Sequence, residues 1–252
     1  MMHSILIIGQ SNMAGRGFLK EAEPLDNRGG LLNVLRNGRW MPMFRPVNFD
    51  RSFSGTCLAE TFAVQYANEH TDVKVGIIPC ADGGTTLDQW KEGEILFDHA
   101  VFQAKLAMRT SKLVAILWHQ GEGDCREERY PLYLEKVTAI MTAFRKQLGA
   151  EVPIVVGGLG DFLKDRVENP ELANYVHVNK ALEKFAQVFP KTAFASAKGL
   201  TSNPDNLHFN HNSLMEFGKR YYSAFKTVED KELWIETKDR PCDTKLTDME
   251  KL

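Results

Sequence analysis

The chain has 252 residues, 43% of them hydrophobic and 25% charged, proportions that exclude a disordered, fibrous or collagen-like polypeptide. At roughly 150 residues per domain this length makes one large or two small domains and buries a core without disulfide staples. Lys and Arg number 31 against 33 Asp and Glu, a net charge of −2, so the basic excess that marks a nucleic-acid binder is missing.

The first predicted strand covers 5–8, an apolar run of four. It is too short for a signal-peptide core and has no basic segment before it. No run approaches the ~18 apolar residues that would span a bilayer. Residues 15–56 form a long insertion rich in Gly and Arg, with Asn37-Gly38 as the expected turn of a hairpin within 34–43. Leu58, Phe62 and Tyr66 mark a helix, and 73–78 reads as the second strand. Val101, Lys105 and Met108 mark the next helix, followed by a strand at 114–118. The clearest apolar stripe is Tyr133, Val137, Ile140, Met141 and Phe144, which ends at Gly149. A strand at 154–156 follows. Then come a helix through Val178, Leu182, Phe185 and Phe189, a weaker strand at 193–195, and a helix through Leu214, Phe217, Tyr221 and Phe225. Residues 228–252 are a charged extension in which only Leu233, Trp234 and Ile235 can pack, so it is expected to lie across the surface or to serve self-association.

Strand runs that are apolar on both faces belong in a buried parallel sheet. Their alternation with helices implies one domain over 1–227, a three-layer α/β/α sandwich on a mainly parallel, flavodoxin-like sheet of five strands. Cys57, Cys80, Cys125 and Cys242 form no CxxC pair and have no zinc spacing. They read as free thiols in a reducing compartment; the cytoplasm is the expected location, and no metal or other cofactor is expected.

In open α/β sheets, ligands bind beyond the carboxyl ends of the strands, and here each strand leads into small and polar residues. The segments are Gly9-Gln10-Ser11-Asn12-Met13-Ala14-Gly15, then Cys80-Ala81-Asp82-Gly83-Gly84-Thr85-Thr86, then His119-Gln120-Gly121-Glu122-Gly123-Asp124, then Gly157-Gly158-Leu159-Gly160-Asp161, and finally Asp205-Asn206-Leu207-His208-Phe209. Ser11 is the candidate nucleophile. It needs a base, which His208 can supply, and Asp205 three residues earlier can orient that imidazole. The Ser11 amide, the Gly83 amide and the Gln120 side chain are candidate oxyanion donors, with Gly84 as the alternative to Gly83. Met13 stands where a G-x-S-x-G elbow would have its second glycine. The bland alternatives are a helix-capping Ser11, a packing role for His119, and a bracing role for Gln120. Glu122 is expected to brace the Gln120 loop or to back up Asp205. Arg16 either meets substrate or pairs with a carboxylate such as Asp50. Trp40, Phe44, Phe49, Phe53 and Trp90 are candidates for stacking on sugar faces, and equally for core packing.

On four of these segments the sequence resembles the SGNH hydrolases, and within them the sialate O-acetylesterase / acetylxylan esterase group, carbohydrate esterase family six. The segments are Gly9 to Gly17, Pro79 to Thr85, Trp118 to Asp124 and Asp205 to Phe209, in the family's order over roughly 5–225. The resemblance implies Ser11 as nucleophile, with Asp205 and His208 completing the triad. It also implies an oxyanion hole of Ser11, a glycine of the second segment and Gln120, and no metal. Gly123 stands where the family often has Ser. The activity implied is removal of acetyl groups from a sugar hydroxyl, with acetylated xylo-oligosaccharide the first expectation and acetylated sialic acid the second. Two readings from other classes are a flavodoxin-like binder of flavin or nucleotide and a non-catalytic binder of acetylated sugar. The first segment lacks both the P-loop ending and G-x-G-x-x-G, which counts against the nucleotide reading.

Overall fold

A computed structural model describes residues 1–149 and 151–229. The last part of the charged extension, residues 230–252, with Leu233, Trp234, Ile235 and Cys242, lies outside the described residues. In chain order the elements are β1 (Met2–Gly9), α1 (Ser11–Ala14), β2 (Leu32–Arg36), β3 (Arg39–Pro42), α2 (Leu58–Glu69), β4 (Lys74–Pro79), α3 (Ile95–Ala107), β5 (Lys112–His119), α4 (Tyr133–Leu148), β6 (Ile154–Gly157), α5 (Tyr175–Val188), β7 (Thr192–Ala195) and α6 (His211–Lys226).

The strands join one sheet in the order β3-β2-β4-β1-β5-β6-β7, parallel throughout except for β3. Helices α2 and α6 pack together on one side, and α3, α4 and α5 pack in sequence on the other, which makes the expected three layers. Ile5, Leu6, Ile7 and Ile8 are wholly buried, because β1 is central and helices cover both of its faces. The α4 stripe points inward as its period requires, and Gly149 caps the helix at φ 60°, a left-handed conformation that favours glycine.

The sheet has seven described strands rather than the five expected. The added pair is the hairpin of the insertion. Asn37 and Gly38 take φ 49° and 75°, the two positive values that a type I′ turn needs. The hairpin does more than fold on itself, since Leu32, Asn33 and Val34 pair in parallel with Val75, Gly76 and Ile77 of β4. An apolar β4 would otherwise be the sheet edge, and β2 covers it. A β-carbon on Gly76 would lie 2.4 Å from the Trp40 ring, so glycine there makes room for the tryptophan that seals this edge.

The neck of the insertion is closed where Gly17 and Thr56 form an antiparallel bridge and the Gly55 N–H donates to Gly15 O over 3.0 Å. The segment is therefore a wall built into the sheet. Successive strands are laid down on opposite sides of β1, with β4 on one side and β5 on the other. The crevice at the end of β1 is thus the topological switch point, where such sheets bind ligands. Among the described residues no helix is long and apolar enough to cross a membrane.

Candidate active site

Gly9 ends β1 at φ 128°, and a β-carbon there would lie 2.1 Å from His119 O of β5. The tight turn this glycine allows sends the chain into α1 with Ser11 as its first residue. The Ser11 side chain does not cap the helix, because the capping position is Gln10 and no side-chain cap bond forms. Instead Ser11 Oγ lies 3.0 Å from His208 Nε2. His208 Nδ1 lies 2.6 Å from Asp205 Oδ2. Asp205 Oδ1 accepts the amides of Leu207 and His208, each at 3.0 Å. With a carboxylate at Nδ1, that nitrogen carries the proton, and Nε2 is left to accept from the serine hydroxyl. Partial burial works against the Asp205 charge, but the bonds from the His208 ring and from the two amides outweigh it and hold the carboxyl at about 2. The structure therefore brings Ser11, His208 and Asp205 into one row from positions 197 residues apart.

Asn12, which sequence reasoning passed over, holds that row. Its Oδ1 accepts from Phe209 N at 3.0 Å, and its Nδ2 donates to Leu207 O at 3.1 Å. It thus grips the chain on both sides of His208. Nδ2 also donates to Glu122 Oε1 at 2.5 Å. Glu122 lies 3.5 Å from His119 Nε2, a distance too long for a hydrogen bond. Burial raises the Glu122 carboxyl, but the neighbouring His119 and the Asn12 amide more than offset this and set it below the usual range. Glu122 therefore reaches His208 through Asn12 and ties the loop of Gln120 to α1, while Asp205 is the carboxylate at His208 Nδ1. His119 is wholly buried, edge-on to Phe209 and Phe217, in the packing role expected. Gln10 is a second residue that sequence reasoning passed over. Its Oε1 accepts from Gly121 N at 3.1 Å and Gly123 N at 3.3 Å, which ties the first polar segment to the third.

Two of the three expected oxyanion donors are already engaged. The Gly83 N–H donates to Asp50 Oδ2 at 2.8 Å. Asp50 also takes Arg16 in a two-pronged pair at 3.0 and 2.7 Å and the Ser54 hydroxyl at 2.7 Å. Arg16 is thus a buried partner of Asp50. The Gln120 amide is fully buried and spends both hydrogens inward, on Asp124 Oδ2 at 2.6 Å and Thr85 O at 3.2 Å. In this structure the two groups expected as oxyanion donors, the Gly83 amide and the Gln120 side chain, are thus bonded to Asp50 and to Asp124 and Thr85. Gln120 braces Thr85 and Asp124, and Asp50 of the insertion takes the Gly83 amide. The amides of Ser11 and Gly84 have no acceptor among the described residues, and Ser11 at the start of α1 has no intrahelical one by geometry.

The bracing role predicts that Gln120→Ala leaves Thr85 O unpaired and Asp124 Oδ2 with the Leu87 amide alone at 2.9 Å, lowering stability by about 1–3 kcal/mol. Thermal unfolding should show this as a clear drop in Tm, with kcat reduced less than tenfold. A kcat loss of about 10²–10³ at unchanged Tm would instead mark an oxyanion donor.

Trp90 is wholly buried, edge-on to Trp118, and donates to Thr85 Oγ1 at 3.1 Å. Trp40 donates to Thr110 Oγ1 at 3.1 Å, at the far edge of the sheet. Both are structural, whereas Phe49 and Phe53 are exposed. No group of three or more His, Cys, Asp or Glu side chains among the described residues could hold a metal ion. What the site offers is a hydroxyl on a base and an unengaged Ser11 amide at the start of α1.

Comparison with known proteins supplies the family. The profile of the carbohydrate esterase, sialic acid-specific acetylesterase family matches residues 1–227. A probable carbohydrate esterase of Arabidopsis thaliana is 25% identical over 248 residues, covering 87% of this chain and 88% of its own. The crystal structure of an Arabidopsis thaliana protein superposes with a TM-score of 0.80 at 21% identity, over 90% of this chain and 99% of that one. A carbohydrate acetylesterase from Xanthomonas citri has the same fold, with a TM-score of 0.66 at 19% identity over 90% of this chain and 56% of its own. The chain thus belongs to the carbohydrate esterase, sialic acid-specific acetylesterase family and is a carboxylic ester hydrolase of the carbohydrate acetylesterase kind.

Proposed function

We propose that this esterase removes O-acetyl groups from a small carbohydrate through an acyl-enzyme on Ser11. The observation that carries the reading is the row Asp205–His208–Ser11, with contacts of 2.6 and 3.0 Å. Ser11 Oγ attacks the ester carbonyl carbon while its proton passes to His208 Nε2. The tetrahedral intermediate collapses with cleavage of the bond to the sugar oxygen, which leaves with that proton as an alcohol. Water then attacks the acetyl-serine and gives its proton to the same nitrogen. Acetate departs and Oγ recovers the proton. Asp205 stays charged throughout and stabilises the imidazolium. The oxyanion rests on the Ser11 amide and on the Gly83-Gly84 turn. Because Asp50 takes the Gly83 N–H, Gly84 N–H is the donor that turn has to offer.

Acetylated xylo-oligosaccharide is the first substrate reading. Acetylated sialic acid is the second, and the description of the matching family favours it. Cys57, Cys80 and Cys125 are free and buried, which suits a reducing compartment and a short, imported sugar. The test is acetate release by the wild-type protein from acetylated xylo-oligosaccharide and from acetylated sialic acid, side by side. Release from one identifies the substrate class. Release from neither would overturn the carbohydrate reading of this site.

A further inference from the structure

Of the aromatic residues that could meet a sugar, Phe53 is exposed and lies against Arg16, which follows the nucleophile turn. It is 67% exposed, yet its ring is not free to wander. The Arg16 guanidinium sits against it, 5.2 Å from the ring centroid, and the Arg16 side chain is itself only 5% exposed and pinned by Asp50. Gly83 also lies against Arg16. A β-carbon on Gly83 would lie 2.6 Å from Arg16 Nη2 and 3.3 Å from Ser11 Cβ. Ring, guanidinium, glycine and nucleophile are therefore consecutive neighbours, and any side chain at position 83 would break the run. Beside it Arg51, half-exposed, donates to Gly83 O at 3.0 Å and pairs with Asp82 at 2.7 Å. The result is an exposed apolar ring held against a buried cation, with the Arg51 guanidinium on the neighbouring Gly83 carbonyl. Phe49, equally exposed, has no ring or cation contact among the described residues.

We infer that Phe53 is the platform on which the sugar ring of the substrate stacks while its acetyl group lies at Ser11. A pyranose presents C–H groups on one face and hydroxyls around its edge. The ring of Phe53 matches the first and Arg51 the second. This makes Phe53 a specificity-determining residue of the insertion, and it rests on the carbohydrate reading given above. Its selectivity should be carried by KM, since the ring touches the sugar and not the reacting carbonyl.

The experiment compares Phe53→Ala and Phe53→Trp with wild type on an acetylated sugar and on ethyl acetate, which has no ring to stack. Because Phe53 is exposed, both variants should keep the wild-type Tm. Phe53→Ala should lower the ratio of kcat/KM on sugar to kcat/KM on ethyl acetate about tenfold, through KM, and Phe53→Trp should restore it. An unchanged ratio in Phe53→Ala would overturn the platform, as would a loss that Trp fails to rescue. A wild-type protein that cleaves ethyl acetate but no acetylated sugar would overturn the carbohydrate reading itself, and the platform with it, before any variant is made.

Discussion

Ser11→Ala should abolish acetyl release, with kcat falling about four to six orders of magnitude. The size of the effect follows from what the hydroxyl does. It forms the bond to the acetyl carbon, and no second nucleophile lies on His208 Nε2, whose partner is Ser11 Oγ at 3.0 Å. Stability should hardly change. Ser11 is the first residue of α1 and makes no capping bond, and alanine is a good helix former. His208 keeps its contact with Asp205. The check is kcat measured beside thermal unfolding and beside binding of acetylated sugar to the inactive variant. Retention of more than a tenth of wild-type activity would remove Ser11 from the chemistry. Loss of activity together with loss of fold would show that the residue is structural.

Asn12→Ala should be the second most damaging change, although Asn12 touches no reacting atom. Its removal leaves the buried Phe209 N and the half-buried Leu207 O without partners, and leaves the buried Glu122 carboxylate with only His119 beside it, at 3.5 Å. Each costs about 1–3 kcal/mol, and the charged one costs more. A loss of roughly 3–6 kcal/mol corresponds to a fall in Tm on the order of 10 °C for a domain of this size. The same change frees both sides of His208, and a misplacement of about 1 Å at a catalytic base can cost on the order of 10² in rate. Variants should therefore lose activity even at temperatures where they remain folded. Asn12→Asp should not rescue them, because it sets a second carboxylate against Glu122. If the folded fraction of Asn12→Ala turned over at the wild-type rate, the residue would be a stability element only.

Much of this protein is legible along the chain. Buried parallel strands at 5–8 and 114–118 declare themselves by being apolar on both faces, and α4 by its 3.6-residue stripe, because these signals depend only on what surrounds each element on average. The positions of Ser11, Asp205 and His208 follow from the same logic. Parallel strands put all their carboxyl ends on one edge, so polar residues just after different strands converge however far apart they are in sequence. The Asn37-Gly38 turn was also local, since two positive φ angles are a property of those two residues.

The rest depended on partners that no local pattern names. Whether the hairpin stood alone or became strands two and three of the sheet rested on pairing with β4, a non-local contact set by β4 having an apolar edge to cover. Whether Gly83 and Gln120 offered free N–H groups depended on acceptors from elsewhere, Asp50 from the insertion and Asp124 from the third loop. Asn12 shows the point most directly. Its neighbour Ser11 carries the recognisable chemistry, whereas its own value lies in meeting Leu207, Phe209 and Glu122, which only folding brings within reach. Sequence by itself determined which residue types arrive at the sheet edge. Tertiary structure decided which of their hydrogen-bonding groups are already taken, because a donor buried beside an acceptor binds it and is no longer available for substrate.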